Sequence, residues 1–294
     1  MTDSPQDPPV TDNVLHPAIG RTIVAAGIRT NYHDMGEGPP MVLLHGSGAG
    51  VTGWENWHGV MPDLARHFRV LVPDIVGFGF TERPAGTTYS IKLWVNHLLG
   101  FLDALGLQRS IIVGNSFGGA LGLALAIRNA HRVSRMVLMG TPAGTFEQRA
   151  AMARAWYFEP SLANMEELLK TFPHDPSFVT EEMVRQRHEV ARLAGGMEAY
   201  RKLFPEPEPG GQSRQVKGIP VDDLRSIRTP ILALHGRHDA RVPLECGIRI
   251  ATECPNADLR IFANCGHWVQ IERRSDFLFE TIRFSVETCD QQAC

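Results

Sequence analysis

Short apolar runs alternate with longer stretches of helical spacing along most of the chain. The runs Met41–Leu44 and Ser110–Val113 are apolar on both faces, which is typical of strands in a parallel sheet that helices cover on both sides. Further runs of this kind lie at Arg69–Val72, Met136–Met139, Pro230–Leu234 and Asp258–Ala263. The pattern predicts an α/β fold with a mostly parallel sheet flanked by helices.

Helices are predicted between these strands, and a hairpin is predicted in front of them. The runs Arg21–Ala26 and Ile28–His33 flank Gly27, which indicates two antiparallel strands joined by a tight turn. Segments with helical periodicity lie at Trp54–His67, Ile91–Leu105, Gly118–Asn129, Leu244–Thr252 and Ser275–Val286.

The alternation stops between residues 144 and 212, where only helical patterns occur. Four helices are predicted there, and the breaker cluster Pro205–Gly211 closes the stretch. Their ranges are Glu147–Trp156, Met165–Phe172, Glu181–Arg192 and Met197–Phe204. Ligands of open α/β folds bind where loops leave the carboxyl edge of the sheet. We therefore expect a disordered tail at 1–16, an α/β core at 17–143 and 213–289, and a helical cap at 144–212.

Composition and charge exclude several classes of protein. Lysine and arginine number 29 against 32 aspartates and glutamates, and the net charge of −3 gives no basic surface for nucleic acid or membrane. No apolar run reaches the roughly 20 residues of a spanning helix, and the polar segment Met1–Pro9 lacks the pattern of a secretory signal. Five cysteines without a CxxC pair are typical of free thiols in a reducing compartment. These features favour a cytoplasmic protein with neither a membrane nor a nucleic acid as partner.

The sharpest chemical signal is the sequence Gly114-Asn115-Ser116-Phe117-Gly118. An apolar run precedes it and a helical stretch follows it, as in the strand–turn–helix that presents a nucleophilic serine. Small residues let the strand and the helix approach closely, and the amino end of the helix directs its N–H groups at the reaction centre. We predict that Ser116 is a nucleophile.

A nucleophilic serine needs a histidine as general base and an acid that orients it. In proteins with this turn the acid and then the histidine follow the serine in the chain, and Asp239 and His267 each lie just after a predicted strand. His235 and His238 are rival histidines, but with Asp239 they give no recognisable metal-binding pattern, so no metal is expected. The other acids considered lie where a solvated charge is the ordinary outcome: Asp222, Asp223 and Asp258.

The loop His45–Gly50 follows the strand Met41–Leu44 and contains three glycines. Acyl chemistry develops negative charge on a carbonyl oxygen, and each preorganised N–H donor there is worth ~3 to 4 kcal/mol. The backbone N–H groups of Ser47 and Phe117 are the predicted donors. A phosphate-binding loop is disfavoured, because no Lys-Ser or Lys-Thr pair follows the glycines.

With these motifs the chain resembles the meta-cleavage product hydrolases of the α/β-hydrolase superfamily. These are carbon–carbon bond hydrolases of bacterial aromatic degradation, typified by 2-hydroxymuconic semialdehyde hydrolase. The resemblance extends from about residue 20 to residue 285. It is carried by HGSGAGVTGWENW (45–57), PDIVGFGFTERP (73–84), GNSFGGALGLALAIRN (114–129), RMVLMG (135–140), HGRHDARVPL (235–244) and CGHWVQIE (265–272). It implies the α/β-hydrolase fold with an inserted helical cap.

The resemblance implies roles for the residues already singled out. Ser116, Asp239 and His267 match the catalytic triad of the family, and Ser47 and Phe117 match its oxyanion hole. No metal or organic cofactor is implied, and a homodimer is the assembly that the family suggests.

The resemblance also implies a set of substrate-binding residues. Arg192, in the string EVARLAG (189–195), matches the arginine that holds the substrate carboxylate, with Arg185 and Arg187 as neighbouring alternatives. The other members of the set are Gly46, Gly48, Asn56, Asn115 and Trp268.

The implied reaction is hydrolysis of a carbon–carbon bond in a 2-hydroxy-6-oxohexa-2,4-dienoate, which gives 2-hydroxypenta-2,4-dienoate and a carboxylic acid. The C6 substituent is left open, with similarity favouring hydrogen or a small alkyl group. A carboxylesterase of the same fold and a non-catalytic ligand-binding protein are the alternatives. Dehalogenases and epoxide hydrolases are disfavoured, because they need an aspartate at position 116.

Overall fold

Eight strands form the central sheet of the protein, whose computed structural model describes residues 16–156, 158–193, 195–203 and 215–286. The described residues contain ten strands: β1 (Arg21–Ala25), β2 (Ile28–Met35), β3 (Pro40–Leu44), β4 (Arg69–Pro73), β5 (Ser110–Asn115), β6 (Val133–Met139), β7 (Thr145–Glu147), β8 (Gln215–Lys217), β9 (Ile231–Gly236) and β10 (Ala257–Phe262). The order in the central sheet is β1-β2-β4-β3-β5-β6-β9-β10. β2 pairs antiparallel with β1 and β4, and the other pairs are parallel. The predicted mostly parallel sheet is confirmed.

Helices cover both faces of this sheet. Those of the described residues are α1 (Gly53–Trp57), α2 (Met61–Leu64), α3 (Ile91–Ala104), α4 (Phe117–Asn129), α5 (Ala150–Trp156), α6 (Leu162–Leu169), α7 (Glu181–Ala191), α8 (Gly196–Leu203), α9 (Val221–Leu224), α10 (Leu244–Glu253), α11 (Val269–Glu272) and α12 (Arg274–Val286). None of these helices is both long and apolar enough to span a bilayer.

Side chains of the strands alternate between two apolar layers, one on each face. In β3, Val42 and Leu44 belong to the layer that contains α3, α4 and α10, whereas Met41 and Leu43 belong to the layer that contains α1, α2 and α12. All four side chains are fully buried, and each such burial stabilises the fold by about 1.5–3 kcal/mol. Because both faces are covered, the strand is apolar throughout, as its sequence indicated.

Helices α5 to α8 lie between β7 and β8 in the chain. Helices α6, α7 and α8 form a third apolar cluster, whereas Met152 of α5 packs with the layer that contains α3, α4 and α10. Met165 and Tyr200 of this segment pack with Ala49, which follows β3, and with Trp268, which follows β10. The cluster therefore sits over the carboxyl ends of the parallel strands, where the predicted active-site residues lie.

Two predictions of secondary structure were wrong. The single helix expected at Trp54–His67 is two short helices, α1 and α2. Pro62 stands in the first turn of α2, and proline inside a continuous helix would remove a hydrogen bond and clash with the preceding turn. The stretch after residue 144 is not wholly helical, because Phe146 in β7 pairs antiparallel with Val216 in β8. A strand of three residues is too short to show a period of its own.

Part of the predicted organisation falls outside the described residues. This applies to the tail at 1–16 except His16, to the breaker cluster Pro205–Gly211, and to positions 287–289 of the predicted core.

Candidate active site

Ser116 lies at the sharp turn between β5 and α4. Its backbone has φ 53° and ψ −112°, a conformation that is strained for a residue with a side chain. The Ser116 N–H donates to the Met139 carbonyl at 2.7 Å, which fixes the turn to the end of β6. A Cβ atom at Gly119 would lie 2.0 Å from Thr141 Oγ1, so only glycine permits this approach. The local geometry is that of the strand–turn–helix that presents a nucleophilic serine.

His267 and Asp239 form a buried hydrogen-bonded pair. His267 Nδ1 lies 2.7 Å from Asp239 Oδ2, and Asp239 Oδ1 accepts from the N–H groups of Arg241 and Val242 at 2.8 and 2.9 Å. Burial on its own would raise the pKa of Asp239, but His267 and these donors bring that pKa below its usual value. With Nδ1 held by an ionised carboxylate, Nε2 is the nitrogen that can take a proton from a nucleophile.

The three predicted residues follow strands that lie in one half of the sheet, in the order β5-β6-β9-β10. Ser116 follows β5, Asp239 follows β9 and His267 follows β10, and Gly140 follows the intervening strand β6. Asn115 links two of these loops, since its Nδ2 donates to the His267 carbonyl at 3.4 Å. The carboxyl ends of these parallel strands bring the predicted residues to one edge of the sheet.

Gly140 leaves the space that the His267–Asp239 pair occupies. Its φ is +48°, and a Cβ atom there would lie 2.8 Å from His267 Nδ1 and 2.9 Å from Asp239 Oδ2. Gly140→Ala is therefore expected to displace the imidazole. Because a shift of about 1 Å can cost about 100-fold in rate, labelling of Ser116 by a serine-directed phosphonate should slow by about that factor.

Gly106→Ala is the matched control for this change. Gly106 also has a positive φ, +69°, but a Cβ atom there would meet nothing within 4 Å. It carries the same backbone strain, about 1–2 kcal/mol, without a clash. Equal labelling rates in Gly140→Ala and the unmodified protein would contradict the role given to Gly140.

The loop after β3 is held by a neutral histidine. His45 Nε2 accepts the Ile75 N–H at 2.9 Å, so the ring proton is on Nδ1, which donates to the Gly46 carbonyl at 2.7 Å. Burial lowers the pKa of His45 to about 4. The Gly46 N–H donates to Asn56 Oδ1 at 3.1 Å. The loop is thereby fixed next to Ser116, because a Cβ at Gly46 would lie 3.5 Å from Ser116 Cβ.

A cavity of about 560 Å³ opens in front of Ser116. Ser47 and Phe117, the predicted oxyanion residues, line it together with Ser116. The remaining wall is largely apolar and includes Ile91, Trp94, Met152, Val216 and Ile219, with polar side chains from Gln215, Lys217 and Arg241. A cavity of this size and character suits a small organic molecule.

Asn56 and Trp268 line a second, much smaller pocket of about 10 Å³, and the arginine in it is Arg187. We call it the polar pocket after the polar residues among its lining: Glu55, Asn56, Arg187 and Gln270. Arg187 is 6% exposed, and its Nη2 would lie 2.9 Å from a Cβ at Gly48. Burial lowers its pKa to about 10, against the opposing effect of Glu55. Arg187 Nε and Asn56 Nδ2 are buried without a hydrogen-bond partner, so the pocket presents unused donors to an anion.

Arg192, the arginine predicted for this role, is not brought to the pocket. It is exposed at the carboxyl end of α7. Five residues of α-helix turn the side chain by about 140°, so a helix that buries Arg187 directs Arg192 away. The buried stripe of α7, with Val184, Arg187 and Val190, has helical spacing, and that spacing is the signal that identifies Arg187 from sequence.

The rival histidines do not make the short hydrogen bond to Asp239 that His267 makes, although His235 Nε2 lies 3.7 Å from Asp239 Oδ2. His235 is buried with Nε2 3.1 Å from the Val242 carbonyl, and burial lowers its pKa. The His238 ring stacks on His174 at 4.3 Å. No group of His, Cys, Asp and Glu in the described residues has the arrangement of a metal site.

Comparison with known proteins places this geometry in a family. Residues 39–274 match the family described as alpha/beta hydrolase fold. The chain is 48% identical over 262 residues to 2-hydroxy-6-oxo-2,4-heptadienoate hydrolase of Pseudomonas putida strain F1, covering 88% of this chain and 94% of the relative.

It is 43% identical over 263 residues to 2-hydroxymuconate semialdehyde hydrolase of Pseudomonas sp. strain CF600, covering 89% of this chain and 92% of the relative. The structure of the meta-cleavage product hydrolase CumD from Pseudomonas fluorescens IP01 superposes with a TM-score of 0.85 at 41% identity, over 91% of this chain and 98% of that one. With its serine turn, its His–Asp pair and these similarities, the chain belongs to the alpha/beta hydrolase fold family and, within it, to the meta-cleavage product hydrolases.

Proposed function

We propose that this hydrolase cleaves a carbon–carbon bond of a 2-hydroxy-6-oxohexa-2,4-dienoate from aromatic degradation, giving 2-hydroxypenta-2,4-dienoate and a carboxylic acid. The observation that carries the proposal is the combination of two sites. A buried His267–Asp239 pair lies at the same sheet edge as Ser116, and a buried cation, Arg187, lies in the polar pocket. A simple ester hydrolase needs the first site, whereas a dienoate hydrolase needs both.

The carboxylate of the dienoate would bind beside Arg187, in a pocket that has to open beyond its present volume of about 10 Å³ to admit it. The Arg187 guanidinium matches a carboxylate and the neighbouring 2-hydroxyl group. Asn56 and Trp268 line the same pocket, and Asn115, which precedes Ser116, would contact the dienoate from the side of the nucleophile. Gly46 and Gly48 let their loop approach these side chains closely. A Cβ atom at Gly46 would lie 2.8 Å from Asn115 Oδ1, and one at Gly48 would lie 2.9 Å from Arg187 Nη2. After ketonisation, positive charge here stabilises the dienolate that leaves when the C–C bond of the keto tautomer breaks.

The main cavity would hold the C6 ketone or aldehyde. Ser116 attacks C6 while His267 takes the hydroxyl proton, and the oxyanion accepts hydrogen bonds from the N–H groups of Ser47 and Phe117. Collapse of this intermediate breaks the C5–C6 bond and releases the dienolate, which takes a proton on its C2 oxygen to give 2-hydroxypenta-2,4-dienoate. Water then hydrolyses the acyl-enzyme with His267 as general base.

The wider setting of the enzyme belongs to the same proposal. Helices α5 to α8 act as a cap over the core, and the enzyme is a cytoplasmic homodimer that needs no metal or organic cofactor. Buried thiols at Cys246, Cys254 and Cys265 form no disulfide among the described residues, which is the usual state in a reducing compartment.

A substrate comparison tests the reaction. We expect kcat/KM for a coloured ring-fission dienoate to exceed that for p-nitrophenyl acetate by at least about 100-fold, because only the dienoate uses the Arg187 pocket. Loss of the dienoate absorbance and release of nitrophenolate measure the two rates. Rapid ester hydrolysis with an inert dienoate would instead identify a carboxylesterase.

A further inference from the structure

The main cavity contains a second buried cation, Arg241, that the mechanism above does not use. Arg241 lies in the loop after β9 and is 4% exposed. Its guanidinium carbon lies 3.9 Å from the centre of the Phe172 ring. Its Nη1 donates to the Ala151 carbonyl at 2.9 Å and to Thr171 Oγ1 at 3.1 Å. The side chain is thus fixed in one orientation by the segment above it.

No carboxylate of the described residues forms a salt bridge with the Arg241 guanidinium, although the charge of Asp239 raises its pKa. The nearest acid in its loop is Asp239, whose carboxylate is already shared between His267 and the backbone N–H groups of Arg241 and Val242. Burial lowers the pKa of Arg241 to about 10, which leaves the guanidinium protonated at neutral pH. A buried guanidinium without an anion is unfavourable, so a ligand that brings a carboxylate would be bound strongly there.

Arg241 and Arg187 line different cavities, although Arg187 is close enough for its charge to lower the pKa of Arg241. Arg187 lines the small polar pocket with Asn56 and Trp268, whereas Arg241 lines the main cavity with Ser116. A substrate that places its dienoate carboxylate at Arg187 and its reacting carbonyl at Ser116 has only its C6 substituent left to fill the main cavity. The group that meets Arg241 therefore belongs to that substituent.

The rest of the cavity wall indicates what such a substituent looks like. Trp94, Met152 and Ile219 provide apolar surface, and Lys217 on β8, which is exposed to solvent, also lines the cavity. This arrangement suits a short hydrocarbon chain that ends in an acidic group.

We propose that Arg241 recognises a carboxylate on the C6 substituent, so that the preferred substrates are ring-fission dioates. The inference rests on the proposed function, because it assigns the substrate class of that same site. It differs from the preference for hydrogen or a small alkyl group at C6 that similarity gave, and the substrate comparison below decides between the two.

Two substrates of equal length test the proposal: 2-hydroxy-6-oxonona-2,4-diene-1,9-dioate and 2-hydroxy-6-oxonona-2,4-dienoate, in which a methyl group replaces the distal carboxylate. We expect kcat/KM of the unmodified enzyme to be at least about 10-fold higher for the dioate. Arg241→Gln should lower kcat/KM for the dioate about 10- to 100-fold, mainly through KM, as expected for a charged hydrogen bond. It should change the value for the neutral substrate less than about 3-fold.

Two further variants complete the design. Arg237→Gln removes an exposed arginine of the same loop and should alter neither substrate. Arg241→Lys keeps the charge but not the planar fork, and it should lower kcat/KM several-fold for the dioate alone. If Arg241→Gln does not fold, Arg241→Lys decides the question.

Each contrary outcome has a distinct meaning. Equal losses on both substrates, in either Arg241 variant, would show that Arg241 only fastens the cap segment to the loop, and would overturn the proposal. Absence of a dioate preference in the unmodified enzyme would overturn it as well. In both cases cleavage of the neutral dienoate would still support the proposed function, whereas cleavage of neither substrate would reject that function itself.

Discussion

Replacing Ser116 by alanine is expected to lower the rate of carbon–carbon cleavage by about 10⁴- to 10⁶-fold, the loss found when an activated serine nucleophile is removed. Binding of the dienoate should persist, because Arg187 and Asn56 lie outside the altered turn. Ketonisation should also persist, since His267 keeps its bond to Asp239. Rapid mixing separates these steps, because the dienol, the bound keto form and the product dienoate absorb differently.

Ser110→Ala is the matched control for the nucleophile. Ser110 begins β5, six residues before Ser116, and its hydroxyl is buried without a hydrogen-bond partner. Removing an unpaired buried hydroxyl is close to neutral for stability, so Ser110→Ala should retain full activity. If Ser116→Ala cleaved the dienoate at a comparable rate, direct attack by water would replace the acyl-enzyme in the mechanism.

The central sheet could be predicted because its physical cause is local. A strand covered on both faces is apolar at every position, and Met41–Leu44 shows that pattern in four consecutive residues. The β7–β8 ribbon could not be predicted in this way. Its partners, Phe146 and Val216, are 70 positions apart, and each strand is formed by the pairing itself rather than by a pattern within it.

The active-site residues also differ in whether a local sequence pattern or contacts between distant segments fix their positions. The positions of Asp239 and His267 followed from chain order and from loops at strand ends, and the structure brings the two side chains to 2.7 Å. Which arginine enters the polar pocket depends on which face of α7 is buried. That face is set by packing against the loop after β3. The approach is so close that a Cβ atom at Gly50 would clash with the Arg187 carbonyl oxygen. The short segment EVARLAG around position 192 does not show which side of the helix faces the pocket.

Arg241 shows a further limit of the sequence pattern. It stands in the segment HDARVPL (238–244), where an arginine after an acid is most simply interpreted as a surface charge. Only the fold places its guanidinium on Phe172, under the cap helices and inside the cavity. Burial of a charged side chain depends on contacts from distant segments, and these are absent from the local sequence.

Arg187→Met is expected to lower kcat/KM for the dienoate by about 100- to 1000-fold, with most of the loss in KM. The size follows from the charged, two-pronged hydrogen bond that a guanidinium makes to a carboxylate in a buried site. Arg192→Met is the matched control, since it makes the same chemical change on the same helix at an exposed position. It should alter kcat/KM less than about 3-fold. The reverse result, a large loss only for Arg192→Met, would restore the assignment made from sequence.

A second role of Arg187 has to be separated from substrate binding. Glu55 is 5% exposed with Oε1 unpaired; burial raises the pKa of this carboxyl, and Arg187 opposes that rise. In Arg187→Met the Glu55 carboxyl can take up a proton, which limits the loss of stability. If Arg187 served only to neutralise Glu55, the double variant Glu55→Gln with Arg187→Met would recover the original KM. Because the substrate carboxylate needs the guanidinium itself, we expect the KM of the double variant to stay as high as that of Arg187→Met.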